Sequence, residues 1–240
     1  MSIALDGLKE DAYRIGDLQA LRYDRTKPPF FDGYLGKLYT LCLQSKRRSG
    51  DGIVTAIFGG NPPSTFDAIV SYLAQRPVIV MGEWQEDGSF QEGGFAFPLL
   101  TCGTVETERA MFAGYGFFSH TWGKPELPVM AMLGLAYLFN EFNLKAIHGT
   151  RYPDNFLTSR FLAQFGCKEV GEIPYYQLRA ARLVPAVVST ILREDFERYV
   201  EEFLVAQYRA SLRTESESGP EPSPTEEKPQ EPVQGSLAWL

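Results

Sequence analysis

The run His120-Thr121-Trp122-Gly123-Lys124-Pro125-Glu126-Leu127-Pro128 sets an imidazole, an ammonium and one glycine immediately ahead of an apolar helical pattern. An imidazole with a near-neutral pKa can take a proton from a nucleophile. A lysine holds an anion as a point charge, and a helix start offers free amides and a favourable dipole to a phosphate. Further on, Asp154 to Glu169 carries Asn155, Thr158 and Arg160, with Asn155 placed to open a helix by accepting from a first-turn amide. Other chemistries lack their residues. Cys42, Cys102 and Cys167, with only two histidines, show no metal-ligand spacing, so no metal site is expected. Ser119 has no histidine and acid at nucleophile spacing. No glycine-rich nucleotide loop is present, and Gly59-Gly60 and Gly93-Gly94 read as turns.

These residues must be positioned by the elements around them. Phe156, Leu157, Phe161, Leu162 and Phe165 repeat at helical spacing, and Gly166 sits where a left-handed terminator belongs. Leu144 to Gly149 before this helix and Val170 to Leu178 after it have strand character, as does Val184 to Ser189. Leu127 to Phe142 is the longest apolar helix, and Arg109 to Ser119 is apolar on both faces, as a central strand beneath helices should be. Val78 to Trp84 and Phe95 to Leu100 are strands around a turn at Glu86-Asp87-Gly88-Ser89, with Pro98 marking an edge or bulge. Upstream, residues 17–21 suggest a short helix, Phe31 to Leu43 a helix, Ile53 to Phe58 a strand, and Pro63 or Ser64 the start of a helix ending at Ala74. Arg193 to Leu212 reads as a polar amphipathic helix.

The order of a strand, an Asn-started helix, a glycine stop and a strand resembles the closing βαβ unit of the GNAT superfamily of N-acetyltransferases. The family pattern is Asn, Ala or Ser three residues on, Leu near seven on, and Gly-Phe at eleven and twelve. Asn155, Thr158, Leu162, Gly166 and Cys167 stand at those places without a gap. The resemblance implies an α/β (α+β) fold: a mixed, mostly antiparallel twisted sheet flanked by helices, with splayed central strands. It frames the chain as a helical extension at 1–50, the acetyltransferase-like domain at 51–192, a C-terminal helix at 193–213 and a disordered acidic, proline-rich tail at 214–240.

The resemblance also implies acetyl-coenzyme A as cosubstrate, its arm paired with the strand ending at Phe117, Phe118 and Ser119 and its pyrophosphate on the following loop, here at Gly123 and Lys124. Asn155, Thr158 and Arg160 would contact the rest of the cofactor. The usual Gly-x-Gly-x-Gly loop is absent: two prolines supply no donor, and Glu126 brings a negative charge. The acceptor would be an amine of a small molecule, a peptide N-terminus or a lysine. For its proton the candidates are His120 and Glu83, with Glu108 an alternative. The tyrosine that often protonates the leaving thiol is replaced by Leu162, leaving Tyr152, Tyr137 or Tyr175 for that task. A catalytically silent member of the fold, acting as an interaction module, is the alternative reading.

Composition narrows the partners. With 44% hydrophobic residues and 13% aromatics, the 240-residue chain can bury one substantial core. Net charge is −7; Glu215 to Leu240 carries six glutamates and one lysine, so the body alone is near −2. Neither value suits nucleic acid, which calls for concentrated Lys and Arg. No stretch approaches the roughly 20 apolar residues of a membrane span, and early acidic residues argue against a signal peptide. Three separated cysteines fit reduced thiols and a cytoplasmic setting. Thr214 to Gln234, with five prolines, cannot offset its ordering entropy and is expected to be disordered. Leu237-Ala238-Trp239-Leu240 beyond it offers a short apolar docking peptide for a protein partner.

Overall fold

A computed structural model describes residues 3–24, 40, 65–74, 77–102, 109–179 and 182–217. The chain divides into a compact unit, Met1–Phe203, and a second, Leu204–Leu240. Eight strands make one sheet: β1 (Arg14–Ile15), β2 (Leu18–Arg22), β3 (Ile79–Trp84), β4 (Phe90–Cys102), β5 (Arg109–Phe117), β6 (Leu144–Arg151), β7 (Lys168–Arg179) and β8 (Arg182–Leu192), in the order β1-β2-β3-β4-β5-β6-β8-β7. Among the described strands, only β5 and β6 run parallel to each other. They need a crossover helix, and the apolar pattern of α3 (Glu126–Glu141) supplies it. The other described helices are α1 (Ile3–Glu10), α2 (Phe66–Ala74), α4 (Phe156–Ala163) and α5 (Arg193–Glu217). The mixed, mostly antiparallel sheet with flanking helices is the expected fold class.

Local chemistry fixes the element ends that matter. Thr65 Oγ1 accepts from Ala68 N at 3.2 Å and opens α2, one residue later than Ser64. Asn155 Oδ1 accepts from Thr158 N at 3.3 Å and starts α4. Gly166, at φ +79°, ends that region: its amide reaches Ala163 O at 3.1 Å, and Cys167 N reaches Leu162 O at 3.3 Å, the paired bonds of a Schellman stop. Arg193 ties the end of α3 to β6, with Nε donating to Leu144 O at 2.7 Å and Nη2 donating to Phe139 O. Phe196 stacks on Phe139 beside it, ring centroids 5.2 Å apart. The core lies between α3 and the sheet, where Met132, Leu133, Phe139, Met81, Phe95 and Phe97 are all buried.

Four sequence expectations need correction. Residues 17–21 are not helical: β2 pairs antiparallel with β3 and buries Leu18, Gln19 and Ala20, so part of the expected N-terminal extension is sheet. Tertiary pairing outweighs a weak local preference there. Gly93 and Gly94 are not a turn but the interior of β4, where a side chain on Gly94 would lie 2.4 Å from the Phe117 ring. The central strand stops at Phe117, and Ser119–Thr121 turns as a 3₁₀ helix. The C-terminal helix runs to Glu217, so residues 214–217 of the expected disordered tail are helical. Pro98 does mark a bulge, at the register shift between Pro98 and Leu100. The helix expected at 31–43 lies outside the described residues save Thr40, and the strand at 53–58 and Glu108 lie wholly outside them.

Candidate active site

The parallel pair β5–β6 begins with a register shift between Arg109 and Ala110, pairs briefly and then separates. Arg109, Ala110, Met111 and Phe112 pair with Leu144, Ala146, Ile147 and His148, and no pair follows. β5 nevertheless continues to Phe117 and β6 to Arg151, each held on its far side, by β4 and β8 respectively. The two strands are unpaired with one another beyond Phe112 and His148. Strand alternation says which groups are left open. Phe118 N donates to Gly93 O of β4 at 2.9 Å, so Gly114 and Gly116 share that orientation, while Ala113 and Tyr115 aim their main-chain groups into the gap.

The gap opens into a narrow cleft of about 40 Å³. Its walls are mostly apolar: Ala113 and Phe117 from β5, Ala131 and Leu135 from α3, Phe161 and Leu162 from α4. Gly149 contributes to the opening by having no side chain. A β-carbon there would stand 3.9 Å from the Tyr115 ring and 4.0 Å from Ala113 O, in open contact. Glycine within a strand is a sign of such close approach by another chain or ligand.

Polar groups gather on one side of this apolar space. Arg151, 8% exposed, donates from Nη1 to Tyr152 O at 2.9 Å and Pro153 O at 3.0 Å, and pairs through Nη2 with Glu169. Its buried Nε has no partner among the described residues. Glu169 also accepts from Ser159 Oγ at 2.6 Å, and these two donors, Ser159 first, hold its carboxyl below the usual range. Burial pushes the Tyr115 phenol far upward, and the nearby Cys167 thiol adds to it. Burial likewise raises the Cys167 thiol, to about 11, so it stands as a neutral thiol rather than a nucleophile. His148 lines the cleft where the strands part; its Nδ1 lies 2.8 Å from Thr190 Oγ1, and burial lowers its pKa.

The loop at the cleft's end is pinned rather than loose. Thr121, 2% exposed, donates from Oγ1 to Phe118 O at 2.7 Å, and Trp122 Nε1 donates to Phe117 O at 3.1 Å. Gly123 takes φ +77°, and α3 follows from Pro125, which makes no side-chain cap bond. Free amides are few at this helix start. Leu127 N already donates to Lys124 O at 3.2 Å, and Pro128 has no N–H. One carboxylate oxygen of Glu126 is buried there without a partner among the described residues.

The expected site residues fall into three places. Phe117 and Thr158 line the cleft. Gly123, Lys124 and His120 are exposed on the loop after β5; Phe118, behind it, is buried against Phe95, ring centroids 5.9 Å apart. Ser119 opens the 3₁₀ turn, and Asn155 and Arg160 are exposed on α4 and its cap. Glu83 lies on β3, separated from β5 by β4, and does not line the cleft. Tyr152 follows the end of β6, half-buried, and its carbonyl takes a bond from Arg151. Tyr137 packs on Tyr13 with ring centroids 4.7 Å apart, and Tyr175 is 77% exposed. His148, Tyr115, Gly149 and Arg151 were not expected as a group. A glycine and a histidine inside a strand pattern were the available signal, but their shared gap depends on strand pairing.

No protein-family profile matches the chain, and no curated protein matches it by sequence. Solved structures do share its fold. The spermidine N-acetyltransferase from Vibrio cholerae, in complex with CoA and spermine, superposes with a TM-score of 0.57 at 14% identity, over 75% of this chain and 98% of that one. The ribosomal-protein-S5-alanine acetyltransferase from Vibrio fischeri gives 0.56 at 14% identity, over 76% and 97%. The chain has the GNAT acetyltransferase fold.

Proposed function

We propose that this chain is an N-acetyltransferase that uses acetyl-coenzyme A and acts on an amine, either of a small molecule or at a peptide N-terminus or lysine. One observation carries the reading: β5 and β6 cease to pair after Phe112 and His148, leaving main-chain groups of Ala113 and Tyr115 open in a cleft. An extended amide chain can add to such an edge as a strand would. The open edge, the bare Gly149 and the orphaned Nε of Arg151 suit the amide-bearing arm of coenzyme A. The start of α3 suits its phosphates less well, for want of free amides, which leaves Gly123 and Lys124 as the groups to hold them. Phe117 and Thr158 would flank the arm, and Asn155 and Arg160 would meet the nucleotide end at the start of α4.

Acetyl-coenzyme A, when bound, supplies an acetyl group activated as a thioester. The chain's own residues manage the protons. In the tautomer whose Nδ1–H donates to Thr190 Oγ1, His148 keeps a lone pair on Nε2 that would take the proton of the attacking amine. Burial keeps this imidazole neutral at physiological pH, the state the task requires. Tyr115 lines the same cleft with its phenol held protonated by burial, and would serve the departing sulfur as a hydrogen-bond donor, a task that Leu162 on α4 cannot perform. His120, exposed at the cleft's end, and Tyr152, beside Arg151, remain the loop alternatives, and Glu83 would need the acceptor to reach across β4.

The test is a thermal-shift and calorimetric titration with acetyl-coenzyme A, followed by assay of thiol release against a panel of primary amines. Ligand at a hundredfold excess over its dissociation constant should stabilise the chain by about 2.7 kcal/mol. No binding at millimolar cofactor would leave the fold as an interaction module and overturn the enzymatic reading.

A further inference from the structure

An arginine is rarely left with a buried donor unused, because stripping water from a charged group without replacing its hydrogen bond is costly. Arg151 is such a residue. Its side chain is 7% exposed, it lines the cleft, and its Nε has no partner among the described residues. The rest of the guanidinium is engaged: Nη1 on the carbonyls of Tyr152 and Pro153, Nη2 on Glu169. These bonds fix the plane of the group, so Nε–H is held in place rather than free to seek another acceptor.

Resting on the acetyltransferase reading, we infer that Arg151 Nε is a binding donor for a neutral carbonyl oxygen of the cofactor's pantetheine arm, supplied from β6 opposite the open edge of β5. The charge on Arg151 decides the kind of acceptor. Glu169 already neutralises it, and the Ser159 hydroxyl helps keep that carboxylate ionised. A second anion would have to enter an apolar cleft without a counter-charge of its own. An amide carbonyl meets the single N–H with no such cost. Arg151 lines the same cleft as Gly149, two residues further along the strand that has parted from β5.

Coenzyme A and adenosine 3′,5′-bisphosphate, which lacks the arm, separate this role from a structural one. Calorimetry on the full chain compares wild type with Arg151→Lys and Glu169→Gln. Lysine retains the charge and can reach the same carbonyls but has no Nε–H, so Arg151→Lys should weaken coenzyme A about tenfold or more and leave the bisphosphate within about twofold. Glu169→Gln removes the ion pair but keeps Nε, and should leave coenzyme A affinity within about twofold. Equal losses for both ligands, or a Glu169→Gln loss as large as that of Arg151→Lys, would mean that Arg151 acts only by anchoring residues 152–153, and would overturn the assignment. Wild-type binding of coenzyme A that Arg151→Lys does not change overturns this assignment alone. A wild-type chain that does not bind coenzyme A overturns the acetyltransferase reading and this assignment with it.

Discussion

Gly149→Val asks directly whether the gap between β5 and β6 is a ligand site. A β-carbon at this position meets nothing nearer than the Tyr115 ring at 3.9 Å and Ala113 O at 4.0 Å, and the backbone is not in the left-handed region, so the strand can accept it. Valine also favours extended backbone, and the change in stability should stay within about 1 kcal/mol. The gap fares differently. A β-carbon already leaves only 4.0 Å to Ala113 O, where a passing chain needs about 3.5 Å on each side, and γ-methyls turned away from that oxygen still take up part of the gap. Coenzyme A affinity should therefore fall at least about a hundredfold, or about 2.7 kcal/mol, with the thermal midpoint of the free protein nearly unchanged. Gly171→Val is the matched control: another strand glycine, on β7, with open space around its β-carbon. Calorimetry and thermal melts of the three proteins suffice. If Gly149→Val binds coenzyme A within threefold of wild type, the arm does not run between these strands.

Three further outcomes follow from the same geometry. Because burial lowers the His148 pKa, the unfolded chain binds a proton at that residue at a pH where the folded chain does not. Stability contributed by neutral His148 should thus be full above about pH 6.5 and decline as pH falls, and His148→Gln should remove that part of the acid slope in urea titrations. In the enzymatic reading the same substitution removes the acidic limb of the kcat/KM profile, while coenzyme A affinity is unchanged. Gly166→Ala should destabilise by about 1–3 kcal/mol, since φ is +79° and a β-carbon would lie 2.7 Å from Asp195 Cβ; denaturant midpoints check it. Asn155→Ala should cost about 1 kcal/mol of stability through the lost cap on Thr158 N, and a contact with the cofactor would show as a further loss in coenzyme A affinity by calorimetry.

Local signals carried the βαβ stretch. The Asn155 cap, the helical spacing of Phe161, Leu162 and Phe165, and the left-handed Gly166 each act within a few residues, so spacing along the chain was enough to place α4 and its flanking strands. The same holds for α3 and for the turn at Gly88, with φ +78°. The residues at 17–21 show the limit: they became a strand because β3, far along the chain, offered unpaired main-chain groups at the right register. Gly93 and Gly94 resembled a turn for a similar reason, their need for space being set by Phe117, Thr121 and Met130 from other elements.

The amino-acid order by itself determined which segments would be helix or strand near the cleft, because capping, periodicity and left-handed glycines are properties of short stretches. Only the tertiary structure decided that β5 and β6 part after four pairs while each goes on pairing with its outer neighbour, β4 on one side and β8 on the other, because strand pairing joins residues far apart in the chain. That parting brings Tyr115, His148, Gly149 and Arg151 around one space. Burial and charge pairing, which depend on the assembled neighbours rather than on residue type, then favour the neutral imidazole and leave the guanidinium one donor unused among the described residues.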